Sequence, residues 1–231
     1  MRPAGKTPPD TRLGRVWGSK VPFHSQIGQD RYIFENYFAD RRPGRFLDIG
    51  AYDGVAYSNT LFFEEELGWQ GICIEPLPDV FEKLKARRKA ICLNCCISDF
   101  EGTADFLDVR GWQDARMHSG LIDAYDPRHM ARIGMISEAG ATNAQIQVAV
   151  RRLAPILDEH GFERIDYATI DTEGAEYQIL SSIDFKRYRF SVLSIENNYA
   201  DKRITELLAA NGFERVHVFH GYDELYVNRS P

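Results

Sequence analysis

The side chains with chemical reach in this 231-residue chain are acidic, and they stand at the ends of apolar runs. Asp48 closes "RFLD", Glu75 follows "GICI", Asp99 follows "AICLNCCIS", Asp171 closes "IDYATID" and Glu196 follows "FSVLSI". Behind the first of them, Gly50-Ala-Tyr-Asp53-Gly54 is a glycine turn of the kind that lets a ligand approach the backbone ahead of a helix. In a dinucleotide site a pyrophosphate occupies that helix N-terminus. Here Asp48 and Asp53 put two carboxylates where the anion would lie, which disfavours a phosphate ligand and with it a nicotinamide-dependent oxidoreductase.

A cationic ligand with an adenosine half removes the conflict, and S-adenosylmethionine is such a ligand. Glu75 stands ~20 to 25 residues beyond the glycines, where an acidic side chain takes ribose hydroxyls. Pro76 belongs to the same strand end, and Asp99, with Ser98 beside it, is placed to accept from the adenine amino group. Gly50, Asp53, Ser58 and Asn59 complete the expected cofactor set around the turn, although Ser58 or Asn59 also suits the N-cap of the following helix. A single strand-end acid is as readily a helix cap as a ligand; several in succession are harder to explain by capping.

These residues need elements to position them. From residue 45 onward strand-like runs alternate with helical patterns, the signature of an α/β protein on a mostly parallel sheet. "RFLDIG", "GICIEP" and "AICLNCCISD" read as the first three strands, with helices "SNTLFFEEELG" and "LPDVFEKLKARR" between them. "GTADFLDV" alternates apolar and polar residues and reads as an antiparallel return. Residues 110–145 show no clear period and read as an insertion of loops and short helix, shaping a substrate pocket. After "IQVAV" the alternation resumes, and "FERVHVF" and "DELYVN", separated by "HGY", must pair as a hairpin. The expectation is a doubly wound, Rossmann-like α/β sheet of class I methyltransferase type, mostly parallel with a C-terminal antiparallel hairpin. One domain spans 23–231 behind a flexible arm at 1–22.

Composition narrows the function classes. No run approaches the ~18 apolar residues of a membrane span, and residues 1–20 lack the apolar core of a secretory signal. Cys73, Cys92, Cys95 and Cys96 lack the partners that would close a zinc knuckle, so buried thiols in a reducing, cytoplasmic setting are expected. A net charge of -6 argues against nucleic acid as the partner. A nucleic-acid methyltransferase remains the first alternative, and a non-catalytic S-adenosylmethionine binder the second.

"SQIGQD" (25–30), "FLDIGAYDGVAYSNT", "GWQGICIEPLP", "IDYATIDTEGAEYQIL" and "DELYVN" together resemble the FkbM-like family of S-adenosylmethionine-dependent methyltransferases. The resemblance implies methyl transfer to a hydroxyl oxygen of a small molecule or carbohydrate, often a sugar or polyketide-like natural product. It also implies that "SQIGQD" closes over the methionine end of the cofactor through Gln26 and Gln29, with Asp30 either joining them or capping the helix that follows.

The reaction itself is expected where the fourth and fifth main strands end. Asp171, Glu196 and Asn197 there are similar to the magnesium ligands of catechol O-methyltransferase-like enzymes, and hard oxygen donors suit Mg²⁺. The pattern departs at Gly174, where metal-dependent enzymes commonly keep a Lys or His. The general base is therefore sought in Glu173 first and His118 second. The competing reading has Asp171 and Glu173 capping the next helix and Glu196 and Asn197 binding substrate hydroxyls. Trp112, Met117, His118 and Tyr125 offer stacking faces to an acceptor, while His24, His217 and His220 are expected to be structural or surface residues.

Overall fold

The computed structural model describes residues 23–40, 42–111 and 115–229, so the arm expected over 1–22 and the stacking face expected of Trp112 lie outside the described residues. The chain begins with α1 (Gln29–Tyr37), β1 (Arg45–Ile49), α2 (Leu61–Leu67), β2 (Gln70–Ile74), α3 (Pro78–Arg87) and β3 (Ile91–Leu93). It continues with β4 (Cys96–Ile97), β5 (Gly102–Arg110), β6 (Gly120–Leu121), α4 (Pro127–Glu138), β7 (Thr142–Arg151) and α5 (Leu153–His160). Last come β8 (Arg164–Ile170), α6 (Glu176–Ser181), β9 (Arg189–Glu196), α7 (Lys202–Ala210), β10 (Phe213–Phe219) and β11 (Asp223–Asn228).

The main sheet has the order β10-β11-β9-β8-β1-β2-β3, with every pairing parallel except the two that β11 makes. The "HGY" hairpin is present, and its second strand slots between β9 and β10 rather than adding at the edge. Strand order reverses beside β1, between β2 and β8, which places a crevice at the carboxyl ends of these strands. Strands β1, β2 and β8 are almost wholly buried because both faces are covered. Their period of two sorts side chains to opposite cores: Leu47, Ile49, Ile72 and Ile74 to one, Phe46, Cys73 and Tyr167 to an aromatic one. Asp48 therefore points to the aromatic side, toward α2.

The expected third strand is two. Asn94 breaks it by donating from Nδ2 to the carbonyls of Glu75 (2.8 Å) and Pro76 (3.0 Å). β3 then stays in the main sheet, while β4 joins a second sheet of order β4-β7-β5-β6. The antiparallel return read in "GTADFLDV" is this sheet's long β5·β7 pair, and both strands alternate in burial as one-sided packing demands. The insertion read as loops and short helix carries the 12-residue α4, started by Asp126, whose side chain accepts from the Arg128 N–H at 2.8 Å, with Pro127 behind it. Among the described residues no helix is long and apolar enough to cross a membrane. All four cysteines are free thiols, three of them buried.

Candidate active site

Two adjoining cavities open at the carboxyl ends of β1, β2 and β8. One is largely apolar, walled by Ile74, Leu77, Cys95, Ile97, Phe106 and Leu121, and includes Glu75 and Pro76. The other is polar and includes Gln26, Gln29, Asp48, Ser58, Asn59 and His118. Gly50, Tyr52, Met117, Asp171 and Glu173 line both.

Gly50 is what lets the two strands meet here. Its φ is 90°, in the left-handed region, and a Cβ would lie 1.8 Å from the Asp171 carbonyl oxygen. Glu75, at the end of β2, is buried and fixed by the backbone: Oε2 accepts from the Tyr52 N–H at 3.1 Å and Oε1 from the Leu77 N–H at 2.8 Å. Burial pushes its carboxyl up from 4.5 to about 7, against the pull of those two N–H groups.

Asp48 is held in a buried polar cluster. Its Oδ2 accepts from the Thr60 hydroxyl at 2.5 Å, and Arg88, whose side chain is wholly buried, lies 4.0 Å away. The same guanidinium pairs with Glu64 at 3.2 Å and donates to Ser58 Oγ at 3.2 Å. Desolvation raises the Asp48 carboxyl and Arg88 opposes it. The N-cap of α2 is Thr60 rather than Ser58 or Asn59; Ser58 lies two residues earlier, accepts from the Leu61 N–H at 3.1 Å and faces the polar cavity. Asn59 donates to Thr169 Oγ1 at 3.3 Å and leaves a buried Oδ1 with no partner among the described residues, an acceptor in the cavity wall awaiting a donor. Gln29 donates from Nε2 to Asp223 at 2.6 Å, and burial raises the Asp223 carboxyl to about 6.

Three expected cofactor residues stand elsewhere. Asp53 folds the turn itself, accepting from the Val55 and Ala56 N–H groups at 2.9 and 2.8 Å, and does not line either cavity. Ser98 is buried behind β4, and the exposed Asp99 accepts its hydroxyl at 3.2 Å; neither reaches the apolar cavity, because the chain left the main sheet at Asn94. Asp30 does neither of its expected jobs in simple form: inside α1, it accepts from the His24 N–H at 2.6 Å and Ser25 Oγ at 2.5 Å, and so shapes the "SQIGQD" loop. His217 stacks on Tyr32 at 4.6 Å between ring centroids, a structural contact as expected.

At the acidic end, Asp171, Glu173 and Glu196 bring ligand oxygens within 4.8 Å of one another. Asn197 does not join them. Its side chain accepts from the Asp201 N–H at 2.7 Å and closes the β9–α7 turn, so the oxygen set expected for Mg²⁺ is not assembled; Asn198 instead faces the cavity, 3.4 Å from Glu173. Burial, then Glu173 nearby, pushes Asp171 well up, with a hydrogen bond to Glu196 opposing; burial and Asp171 likewise raise Glu196. Neither Asp171 nor Glu173 caps the next helix, whose N-cap is Ala175 with no side-chain cap; Glu176, its first residue, instead reaches back to fix the loop, accepting from the Thr172 N–H at 2.8 Å and the Gly174 N–H at 3.1 Å. Glu173 is held at φ 60°, an unusual conformation for a residue with a side chain. Gly174 is glycine for a packing reason: at φ 133° its Cβ would meet the Ala124 carbonyl of the insertion at 2.6 Å. The insertion thus lies directly on the β8–α6 loop, and brings His118 Nδ1 to 3.4 Å and His129 Nδ1 to 3.3 Å from Glu173.

The sequence reading missed His129, Arg132, Asn198, Tyr222 and Asp223. Only Asp223, the first residue of "DELYVN", carried a signal, as an acid at a strand start beside the sheet's carboxyl edge.

A Rossmann-like sheet with its crevice at the switch point and acids on its first two strand ends is the class I methyltransferase architecture. Residues 48–215 match the methyltransferase FkbM domain family, and the chain belongs to it. It is 26% identical to the 31-O-demethyl-FK506 methyltransferase FkbM of Streptomyces tacrolimicus, over 82% of this chain and 84% of that protein. Among solved structures it is similar to a methyltransferase FkbM from Methylobacillus flagellatus KT, at 15% identity and a TM-score of 0.49, over 80% of this chain and 43% of that one. A structure described as a pericyclic reaction enzyme shares 10% identity, with a TM-score of 0.38, over 95% of this chain and 53% of its own. The chain thus spans about half the length of these two solved chains.

Proposed function

We propose that this methyltransferase uses S-adenosylmethionine to methylate a hydroxyl oxygen of a small molecule or glycan. The observation that carries the reading is the wall shared by the two cavities, where Asp171 stands between an apolar recess that includes Glu75 and a polar chamber. When bound, the cofactor supplies an electrophilic methyl group on a sulfonium centre. Glu75 accepts the ribose hydroxyls with the lone pairs its two backbone bonds leave open, and the orphaned Asn59 Oδ1 accepts from the amino group of the methionine end. Asp171, paired with Glu196, takes the acceptor proton as the acceptor oxygen bonds to the methyl carbon; the electrons of the broken carbon–sulfur bond stay on sulfur. Glu173, the first base expected from the sequence, faces the two histidines, which gives it a positioning role beside the base.

Tyr57 and Tyr222 on the polar chamber offer faces to an acceptor ring, and the carboxylates around it repel a polyanion. Free thiols support a reducing, cytoplasmic setting. The test is calorimetry with S-adenosylmethionine, followed by incubation with hydroxylated sugars and macrolides and mass spectrometry of the products. A methyl ether is expected; no cofactor binding would remove the reading, and methylation on nitrogen would move the acceptor class.

A further inference from the structure

We propose that His118, His129 and Glu173 form a binding site for a divalent transition-metal ion, which fastens the 110–145 insertion to the carboxyl edge of the main sheet. Their ligand atoms lie within 4.8 Å of one another. The two imidazole-to-carboxylate separations, 3.4 Å for His118 Nδ1 to Oε1 and 3.3 Å for His129 Nδ1 to Oε2, are close to the spacing of adjacent ligands around one ion. Metal–ligand distances of about 2.1 Å put neighbouring donors roughly 3.0 Å apart in octahedral and 3.4 Å apart in tetrahedral geometry.

Proton positions sharpen the argument. His129 Nε2 lies 3.1 Å from the His118 carbonyl oxygen, which can only accept, so Nε2 carries the hydrogen. In the neutral ring, Nδ1 then holds a lone pair, and it faces the Glu173 carboxylate as well as the Tyr199 hydroxyl at 3.0 Å. A lone pair against an anion calls for a cation between them. His118 Nδ1 repeats the situation: it is a buried atom with no hydrogen-bond partner among the described residues, and the same carboxylate stands beside it. Asp171 and Glu196 bring further carboxyl oxygens within 4.8 Å of Glu173.

The surroundings have the form that supports metal ligands. A ring N–H on a backbone carbonyl fixes the tautomer and aims the other nitrogen. The Tyr125 ring stacks on His129 at 4.6 Å and its hydroxyl donates to the His118 carbonyl at 2.9 Å, so the same carbonyl oxygen accepts from Tyr125 and from His129 Nε2. Two imidazoles with one carboxylate favour Mn²⁺, Fe²⁺, Co²⁺ or Zn²⁺ over Mg²⁺, whose preferred partners are oxygens alone. This donor set differs from the one sought in the sequence, and it does not depend on the methyl-transfer reading.

The experiment uses the full chain after dialysis against a chelator, titrated with Co²⁺ and followed by visible absorption and calorimetry, without S-adenosylmethionine. One equivalent should bind and develop d–d bands, raise the melting temperature, and resist a large excess of Mg²⁺. His118→Ala should weaken Co²⁺ at least ~10-fold, the floor set by losses seen even for outer-shell partners. His129 is wholly buried, so His129→Gln is paired with His118→Ala, and circular dichroism confirms that each variant folds. Absence of Co²⁺, Zn²⁺ and Mn²⁺ binding would overturn the proposal, leaving protons as the charge between these groups. Binding insensitive to His118→Ala but lost in Glu196→Gln would also overturn it, in favour of the carboxylate trio.

Discussion

Glu75→Gln separates cofactor recognition from fold stability, because it should move the two in opposite directions. In the free protein the Glu75 carboxyl is raised from 4.5 to about 7. The folded state therefore holds its proton more tightly than the unfolded chain, and stability falls as pH rises from 4.5 to 7. The total is about 3 kcal/mol, lost fully above pH 7. Glutamine has no charge to desolvate, and its carbonyl still accepts from one of the two N–H groups now bound, leaving the other opposed by an amide. At pH 8 the free variant should melt no lower than the parent, and at pH 5 it should melt lower, since there the protonated parent has escaped its penalty.

S-adenosylmethionine binding should respond the other way. Ribose hydroxyls donate best to the ionised form, and losing two charge-assisted bonds worth ~1.5 kcal/mol each weakens Kd by about 100-fold at pH 8. In the parent, affinity should fall toward tenfold per pH step below about 7, where Glu75 protonates. The variant should show no such slope. Calorimetry at several pH values, with differential scanning calorimetry of the free proteins, reads both effects. A variant that binds within threefold of the parent and keeps its pH slope would refute the assignment of Glu75 to the ribose.

Asp171→Asn should lower the single-turnover rate by at least ~100-fold while leaving cofactor affinity within a few-fold, as loss of a base acting on the acceptor demands; equal losses in rate and binding would place Asp171 on the cofactor instead. Gly50→Ala drives a Cβ into the Asp171 carbonyl at positive φ, so it should destabilise the fold by about 3 kcal/mol or more, read by denaturant titration. Arg88→Met removes the cation shared by Asp48 and Glu64 and should cost about 3–5 kcal/mol, read as a melting temperature lower by ~10 °C. A loss under 1 kcal/mol there, by the same measure, would show that the buried pair is replaceable by apolar packing.

Elements whose boundaries are set locally were readable from sequence. The alternation of runs gave the sheet, Gly68 stops α2 in the left-handed conformation, and three residues between "FERVHVF" and "DELYVN" left no connection but a hairpin. The misreadings trace to contacts between distant residues. "AICLNCCISD" is apolar throughout, and nothing in it marks Asn94 as the donor that ties the chain to the end of β2 and sends β4 to the other sheet. Asp99 was lost from the site by that one turn. Asn197 and Asn198 are identical in type, and the choice between them depends on how β9 leaves the sheet, which the turn through Asp201 decides. His129 and Arg132 share one face of α4 at a spacing of three, but only the docking of the insertion on Gly174 brings that face to the site.

The excess of buried carboxylates raises a question of catalytic sign. Negative charge held against a sulfonium stabilises the reactant, since that positive charge disappears as the methyl group moves; such contacts oppose the reaction. Near the methionine end the structure limits this effect, because the Asp48 carboxylate is bonded to Thr60 and balanced by Arg88. Asp171 and Glu196 are a different case. In the proposed reaction an anionic carboxylate becomes neutral as it takes the acceptor proton, in the same step that turns the sulfonium into a thioether. Two opposite charges enter a buried site and none leaves it. The burial that raises the proton affinity of Asp171 and Glu196 therefore favours the forward step, because each side of the exchange trades a desolvated ion for a neutral group. An acidic chamber that holds a cation well at rest is, on this account, also a good place to discharge one, because the base beside it loses its own charge in the same step.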